Sequence, residues 1–143
     1  GMGRVSKQLI ETFNCNVIGC DINDSMLTMA KFYISNFEKF KAVNSYTVND
    51  SIDLCVSVLV LQHTECPQDE INNIFNVLKH NGTFVLVNEK HRLVPVGVDK
   101  NKFVIWDDDK FDVQSYIETK FVKIKSVPYI NLNHEIIFYR KIL

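Results

Sequence analysis

Apolar positions recur along this chain in two periods, and each change of period marks an element boundary. Leu54 to Leu61, Leu-Cys-Val-Ser-Val-Leu-Val-Leu, is a nearly unbroken apolar run. Such a run predicts a strand buried on both faces, which belongs to a parallel sheet with helices above and below. Leu54, Val56, Val58 and Val60, together with Leu59, are therefore expected to be shielded from water. Val17 to Asp21 reads as a shorter strand of the same kind, and Phe40 to Val43 and Thr83 to Asn88 as two more, the last delivering Glu89 to the carboxyl edge. Helical spacing joins Val5, Leu9, Ile10 and Phe13 over about Arg4 to Phe13, with Asn14 as the stop. Met26, Leu27, Ala30, Tyr33, Ile34 and Phe37 form the apolar face of a second helix, capped by Asn23 or Asp24 and running to about Asn36. A third helix opens on Pro67, carries Ile71, Ile74, Phe75 and Leu78, and ends at the left-handed signal Asn81-Gly82. From Lys90 to Lys110 the pattern breaks, which predicts a long, mobile loop that is either a lid or a solvated insertion. Phe111 to Thr119 reads as a short helix, and Phe121 to Val127 with Glu135 to Ile142 as an antiparallel hairpin turning over Pro128 to His134.

Strands alternating with helices predict a doubly wound α/β fold, whose ligands lie beyond the carboxyl ends of the strands. Asp21 then projects into the site and can accept hydrogen bonds from both hydroxyls of a ribose. Its alternative role, capping the next helix, is equally open to Asn23, Asp24 and Ser25. Gly1-Met2-Gly3-Arg4 precedes the first helix, where free backbone N–H groups can receive an anionic or carboxylate-bearing ligand. Gly1 directly before Met2 reads as a remnant of tag removal.

Composition narrows the function classes. With 143 residues, 46% of them hydrophobic, the chain is expected to fold as one domain over residues 1–143. A net charge of -1 gives no overall attraction to nucleic acid, so no nucleic-acid partner is expected. No apolar run reaches the length of a membrane span and no leader pattern is visible, so no membrane partner and a cytoplasmic location are expected. Cys15, Cys20, Cys55 and Cys66 lack the paired spacings of a zinc site and read as reduced structural thiols, Cys66 being placed in a loop where it could meet substrate.

Three stretches give the chain a resemblance to the class I, Rossmann-like S-adenosylmethionine-dependent methyltransferases. Gly1-Met2-Gly3-Arg4 is similar to the tail of that family's glycine-rich loop, and Val17 to Leu27, Val-Ile-Gly-Cys-Asp-Ile-Asn-Asp-Ser-Met-Leu, to its ribose strand and helix start. Asp53 to His63, followed by Ile74 to Leu86, resembles the fourth strand, helix and fifth strand. The resemblance implies a mostly parallel sheet with an antiparallel C-terminal strand, S-adenosylmethionine as cofactor and a small-molecule acceptor. Carried over by position, Gly1 and Gly3 line the methionine moiety, Asp21 holds the ribose, and Ile22 packs on the adenine. Asn44 and Ser45 meet the adenine edge, where many relatives have an aspartate, and weaker binding is the implied consequence. Ser57, Val58 and Leu59 fall where the fourth strand passes the cofactor. His63 follows; it either takes the acceptor's proton or orders the loop before Pro67. Glu89 and His91 are acceptor contacts or loop residues.

Relatives carry an apolar strand and the start of the glycine loop ahead of the point where this chain opens, so an N-terminally truncated version of the fold is expected. That leads to two further expectations: S-adenosylmethionine binds weakly or not at all, and the gap is closed either by direct pairing of the strands at Val17 and Leu54 or by a second copy in a homodimer. The competing functions are a noncatalytic, methyltransferase-like interaction module and a nicotinamide-binding domain, the second of which leaves the Gln62-His63 loop unexplained.

Overall fold

The computed structural model describes residues 1–35, 38–45, 49, 51–64, 66–89, 112–129 and 134–142. The loop expected from Lys90 to Lys110, including His91, lies outside the described residues, as does Phe37. The chain divides into two compact units, Gly1–Thr47 and Val48–Leu143.

The first unit runs α1 (Arg4–Phe13), β1 (Val17–Cys20), α2 (Asp24–Tyr33) and β2 (Phe40–Val43). Asn14 stops α1 by turning left-handed at φ 53°, and its N–H still donates to the Ile10 carbonyl. β1 and β2 pair in parallel from Val17 with Phe40 to Cys20 with Val43. Ile10, Ala30, Ile34 and Phe40 are buried together, with Val17 and Ala42 packed against them. α2 ends at Tyr33, short of the expected Asn36, because Ile34 leaves the helix in an extended conformation with only 1% of its surface exposed.

The second unit runs β3 (Ile52–Val58), α3 (Pro67–Val77), β4 (Leu78–Glu89), α4 (Val113–Glu118), β5 (Phe121–Tyr129) and β6 (His134–Lys141). Its sheet has the order β3-β4-β6-β5. β3 and β4 are parallel, whereas β6 lies antiparallel to both of its neighbours, so β5 runs in the direction of β3 and β4. This is the mixed, mostly parallel arrangement that the sequence implies. Phe84, Leu86, Ile137 and Tyr139 cover one face of the sheet and are buried with Ile71 and Ile74 of α3 and Val113 and Ile117 of α4. Phe121 packs into the same cluster, its ring 5.5 Å from that of Phe75.

Two expectations are corrected here. Leu54 and Val60 are 44% and 51% exposed rather than shielded, and Val56, Val58 and Leu59 are only half-buried. Among the described residues β3 pairs only with β4, which makes it an edge strand, and the chain turns out of the sheet at Leu59, where φ is 55°. The Asn81-Gly82 signal does not stop α3, which ends at Val77. Leu78 is instead extended, fully buried and paired with Ile52, while Asn81, at φ 63°, sits in an irregularity of β4 between the pairs Ile52/Leu78 and Leu54/Thr83. Lys141 Nζ donates to the Leu78 carbonyl at 2.6 Å, supplying the hydrogen bond that the end of α3 needs.

Candidate functional site

In the first unit the parallel pairing brings the carboxyl ends of β1 and β2 side by side. The ladder continues one residue past the strands, with the Asp21 N–H donating to the Val43 carbonyl at 3.2 Å. This fixes the backbone of Asp21 at the sheet edge. Its Oδ1 accepts from the Asn23 N–H at 2.8 Å, and its Oδ2 from the amino group of Gly1. The helix cap belongs to Asn23, whose Oδ1 accepts from the N–H groups of Ser25 and Met26. Asp21 is thereby spared the capping role, with one carboxylate oxygen turned toward the glycine segment. Ile22 beside it is 91% exposed, an unusual setting for a large aliphatic side chain. Asn44 and Ser45 follow β2 directly and are exposed.

Gly3 precedes α1 with φ 86°, a conformation that costs an ordinary residue about 1–2 kcal/mol. A Cβ there would also lie 2.9 Å from Ile34 Cδ1 and 3.1 Å from Ala30 Cβ. Only glycine lets the segment lie this close to α2 and open α1 where it does. A carboxylate oxygen able to accept from hydroxyls, an exposed apolar surface and a side-chain-free backbone are the groups that suit a nucleoside carrying a polar tail. The residues present in this unit fit the implied cofactor in that respect.

The second unit brings the other predicted residues to the carboxyl end of β3. Ser57 is 6% exposed, and its Oγ has no hydrogen-bond partner among the described residues. Its pairing with Leu86 puts it on the face that packs against the helices. Val58 ends the strand. Leu59 still donates its N–H to the Val87 carbonyl at 2.8 Å before its left-handed turn. That turn leads into a short 3-10 segment, Leu61–His63, in which Leu61 is buried as the anchor and His63 is exposed. Unpaired buried hydroxyls and left-handed bulky residues each cost about 1–3 kcal/mol, and here two such features, Ser57 and Leu59, stand two residues apart. Cys66 is exposed at the N-cap of α3, ahead of Pro67 in the first helical turn. Glu89 closes β4 and pairs in register with His134.

Sequence reasoning missed His134 and Tyr129. It assigned His134 to a turn, whereas the residue opens β6 and pairs with both Glu89 and Tyr129 at the same carboxyl edge. The alternation of Val127 with Tyr129 and of His134 with Ile136 was the available signal, because it extends the first strand by two residues and the second by one.

Residues 1–86 match the model of a protein family described as a methyltransferase domain. Among curated proteins none matches this chain. Several solved structures share the fold at low identity. An S-adenosylmethionine-dependent methyltransferase from Mesorhizobium loti superposes with a TM-score of 0.73 at 16% identity, covering 99% of this chain and 87% of its own. The N-methyltransferase NodS from Bradyrhizobium japonicum, in complex with S-adenosyl-L-homocysteine, gives a TM-score of 0.71 at 13% identity, covering 98% and 73%. The [4+2]-cyclase SpnF gives 0.75 at 11% identity, covering 100% and 73%, so the same architecture also serves other chemistry.

Proposed function

We propose that this chain, which belongs to the methyltransferase domain family, transfers a methyl group from S-adenosylmethionine to a small-molecule acceptor. S-adenosylmethionine is the donor of such domains; when bound, it supplies a methyl group already activated by a positively charged sulfur. The observation that carries the reading is Asp21. It stands at the carboxyl ends of two parallel strands, relieved of capping by Asn23 and flanked by the bare side chain of Ile22.

In this reading Asp21 accepts the ribose hydroxyl protons and Ile22 packs on the adenine. Asn44 and Ser45 meet the adenine edge, and the backbone of Gly1 and Gly3 receives the methionine end. Ser57, Val58 and Leu59 keep the fourth-strand cofactor positions that the resemblance implies, and residues 1–143 are proposed as one domain. His63 takes the acceptor's proton or orders its own turn. Its exposure on a turn anchored by buried Leu61 supports either role. Methyl transfer depends chiefly on alignment, so binding and orientation are the main work asked of these residues.

A second copy of the chain is the proposed protein partner, because the exposed Leu54 of edge strand β3 and the exposed Val60 just beyond it offer apolar surface for it to cover. Sedimentation across a concentration series tests this; a monomer throughout removes it. The function itself is tested by calorimetric titration of S-adenosylhomocysteine and, separately, of NAD. Heat with the first alone supports the reading, heat with NAD alone replaces it with a nicotinamide-binding role, and silence with both leaves a noncatalytic interaction module.

A further inference from the structure

β5 bounds the four-stranded sheet on the side away from β3, and among the described residues it pairs only with β6. Its nine residues, Phe121–Tyr129, are long for an open edge, and Val122, Ile124, Val127 and Tyr129 are 40–47% exposed along it. The strand holds two lysines and no acidic residue, and Lys120 precedes it. Paired residues share a face. Lys125 therefore lies with Phe138, over whose ring its Nζ sits at 4.5 Å, on the face away from the helices, and Arg140 lies on that face beside Val122. Lys123 pairs with buried Tyr139 and so takes the helix face, where Lys120 Nζ stands 5.5 Å from the centre of the Phe75 ring. Among the described residues none of these four cations has a carboxylate within ion-pair distance. The free edge is thus flanked by positive charge on both faces.

We propose that the free edge of β5 takes up an extended, acidic segment of another protein as a fifth strand. The backbone of that segment hydrogen-bonds to β5, and its carboxylates meet Lys123 on one face and Lys125 and Arg140 on the other. Apolar residues between the carboxylates cover Val122 and Val127. Pro128 has no N–H to give, which confines the pairing to Phe121 through Val127. Charge argues against a second copy of this chain on the same edge. Two β5 strands related by a two-fold axis at their midpoint set Lys125 of one directly opposite Lys125 of the other, and like charges so placed repel. Lysines alone also suffice to keep an edge unpaired; the four exposed apolar side chains among them add surface that a partner strand covers. Nothing in this assignment depends on the methyl-transfer reading.

The test is a nuclear magnetic resonance titration of the backbone amides at low salt with the peptide acetyl-Val-Glu-Glu-Val-Glu-Glu-Val-amide, and with a control in which lysine replaces each glutamate. The glutamate peptide is expected to shift the β5 signals and slow their exchange with solvent, to bind more weakly as salt is added, and to leave the lysine peptide without effect. Reversing the charge with Lys123→Glu and Lys125→Glu together is expected to weaken the glutamate peptide at least about tenfold and to let the lysine peptide bind, a gain that an unfolded variant could not show. Binding of neither peptide to the parent, equal binding of both, or a charge reversal that leaves the glutamate peptide's affinity unchanged overturns the proposal. Protection of β5 that grows with protein concentration and needs no peptide assigns the edge to a second copy and overturns it as well.

Discussion

Replacing Gly3 with alanine tests whether the glycine segment is held by packing against α2, as the candidate site requires. Two costs act on the added methyl. The left-handed backbone, φ 86°, is unfavourable for alanine by about 1–2 kcal/mol. The methyl would also sit 2.9 Å from Ile34 Cδ1, and Ile34 is 1% exposed, so its side chain cannot swing away into solvent. Overpacking of this kind costs about 1–3 kcal/mol, so Gly3→Ala is expected to destabilise the first unit by about 2–4 kcal/mol. Amide exchange at Ile10 and Ile34, whose N–H groups lie inside that unit, reads the effect locally, and urea unfolding reads it for the whole chain. A second substitution separates the two costs. Ile34→Val removes the clashing Cδ1 and alone costs about 0.5–1.5 kcal/mol, but combined with Gly3→Ala it is expected to restore stability, leaving only the backbone strain. Strictly additive effects, or a Gly3→Ala protein that exchanges like the parent, would refute the packing argument.

Other perturbations follow from single observations. Asp21→Ala is expected to lower S-adenosylmethionine affinity by about 1.5–3 kcal/mol, the range for a hydrogen bond to a charged group; unchanged calorimetric affinity would remove Asp21 from the ribose. Lys79→Ala breaks the 2.8 Å ion pair with Asp53, but both side chains are largely exposed, so a loss above about 1 kcal/mol in urea unfolding would contradict the expectation. Burial, aided by the charges of Glu118, Glu135 and Asp112, raises the Tyr139 phenol above its ordinary value. The unfolded chain therefore releases this proton first, near pH 10, so the stability contribution is complete below that pH and falls as the pH rises further. Tyr139→Phe should flatten the alkaline limb of a stability-against-pH curve and, because the hydroxyl has no hydrogen-bond partner among the described residues, should cost little at pH 7; an unchanged alkaline limb would count against the assignment.

Most elements were legible because their signals are local. The helix α1 and strand β2 have the expected bounds, and Pro67 opens α3 as its fixed φ dictates. The corrections arise where tertiary pairing overrides a local signal. Leu78 falls at helical spacing, yet pairing with Ile52 draws it into β4, and Asn81-Gly82 then serves a strand irregularity instead of a helix end. An apolar run also says nothing about whether its strand is central or at an edge, and for that reason the exposure of Leu54 and Val60 was invisible. In the candidate site, Asp21 could be found from a strand that ends on a carboxylate. His134 could not, because its place beside Glu89 depends on β6 entering between β4 and β5, and strand order leaves no trace in a local pattern.

The order β3-β4-β6-β5 also governs the way this protein emerges from the ribosome. α1, β1, α2 and β2 lie within the first 47 residues and can pack as soon as they leave the exit tunnel. β5 has no such opportunity: its described partner is β6, which follows it in the chain, and until His134–Lys141 arrives β4 and β5 each present an unpaired edge. The nascent chain must therefore hold β4 and β5 unjoined until β6 has been made. A stop codon before His134 would deprive β4 and β5 of the strand that joins them, and the product would be a substrate for chaperones and proteases instead of a slightly shorter version of the same fold.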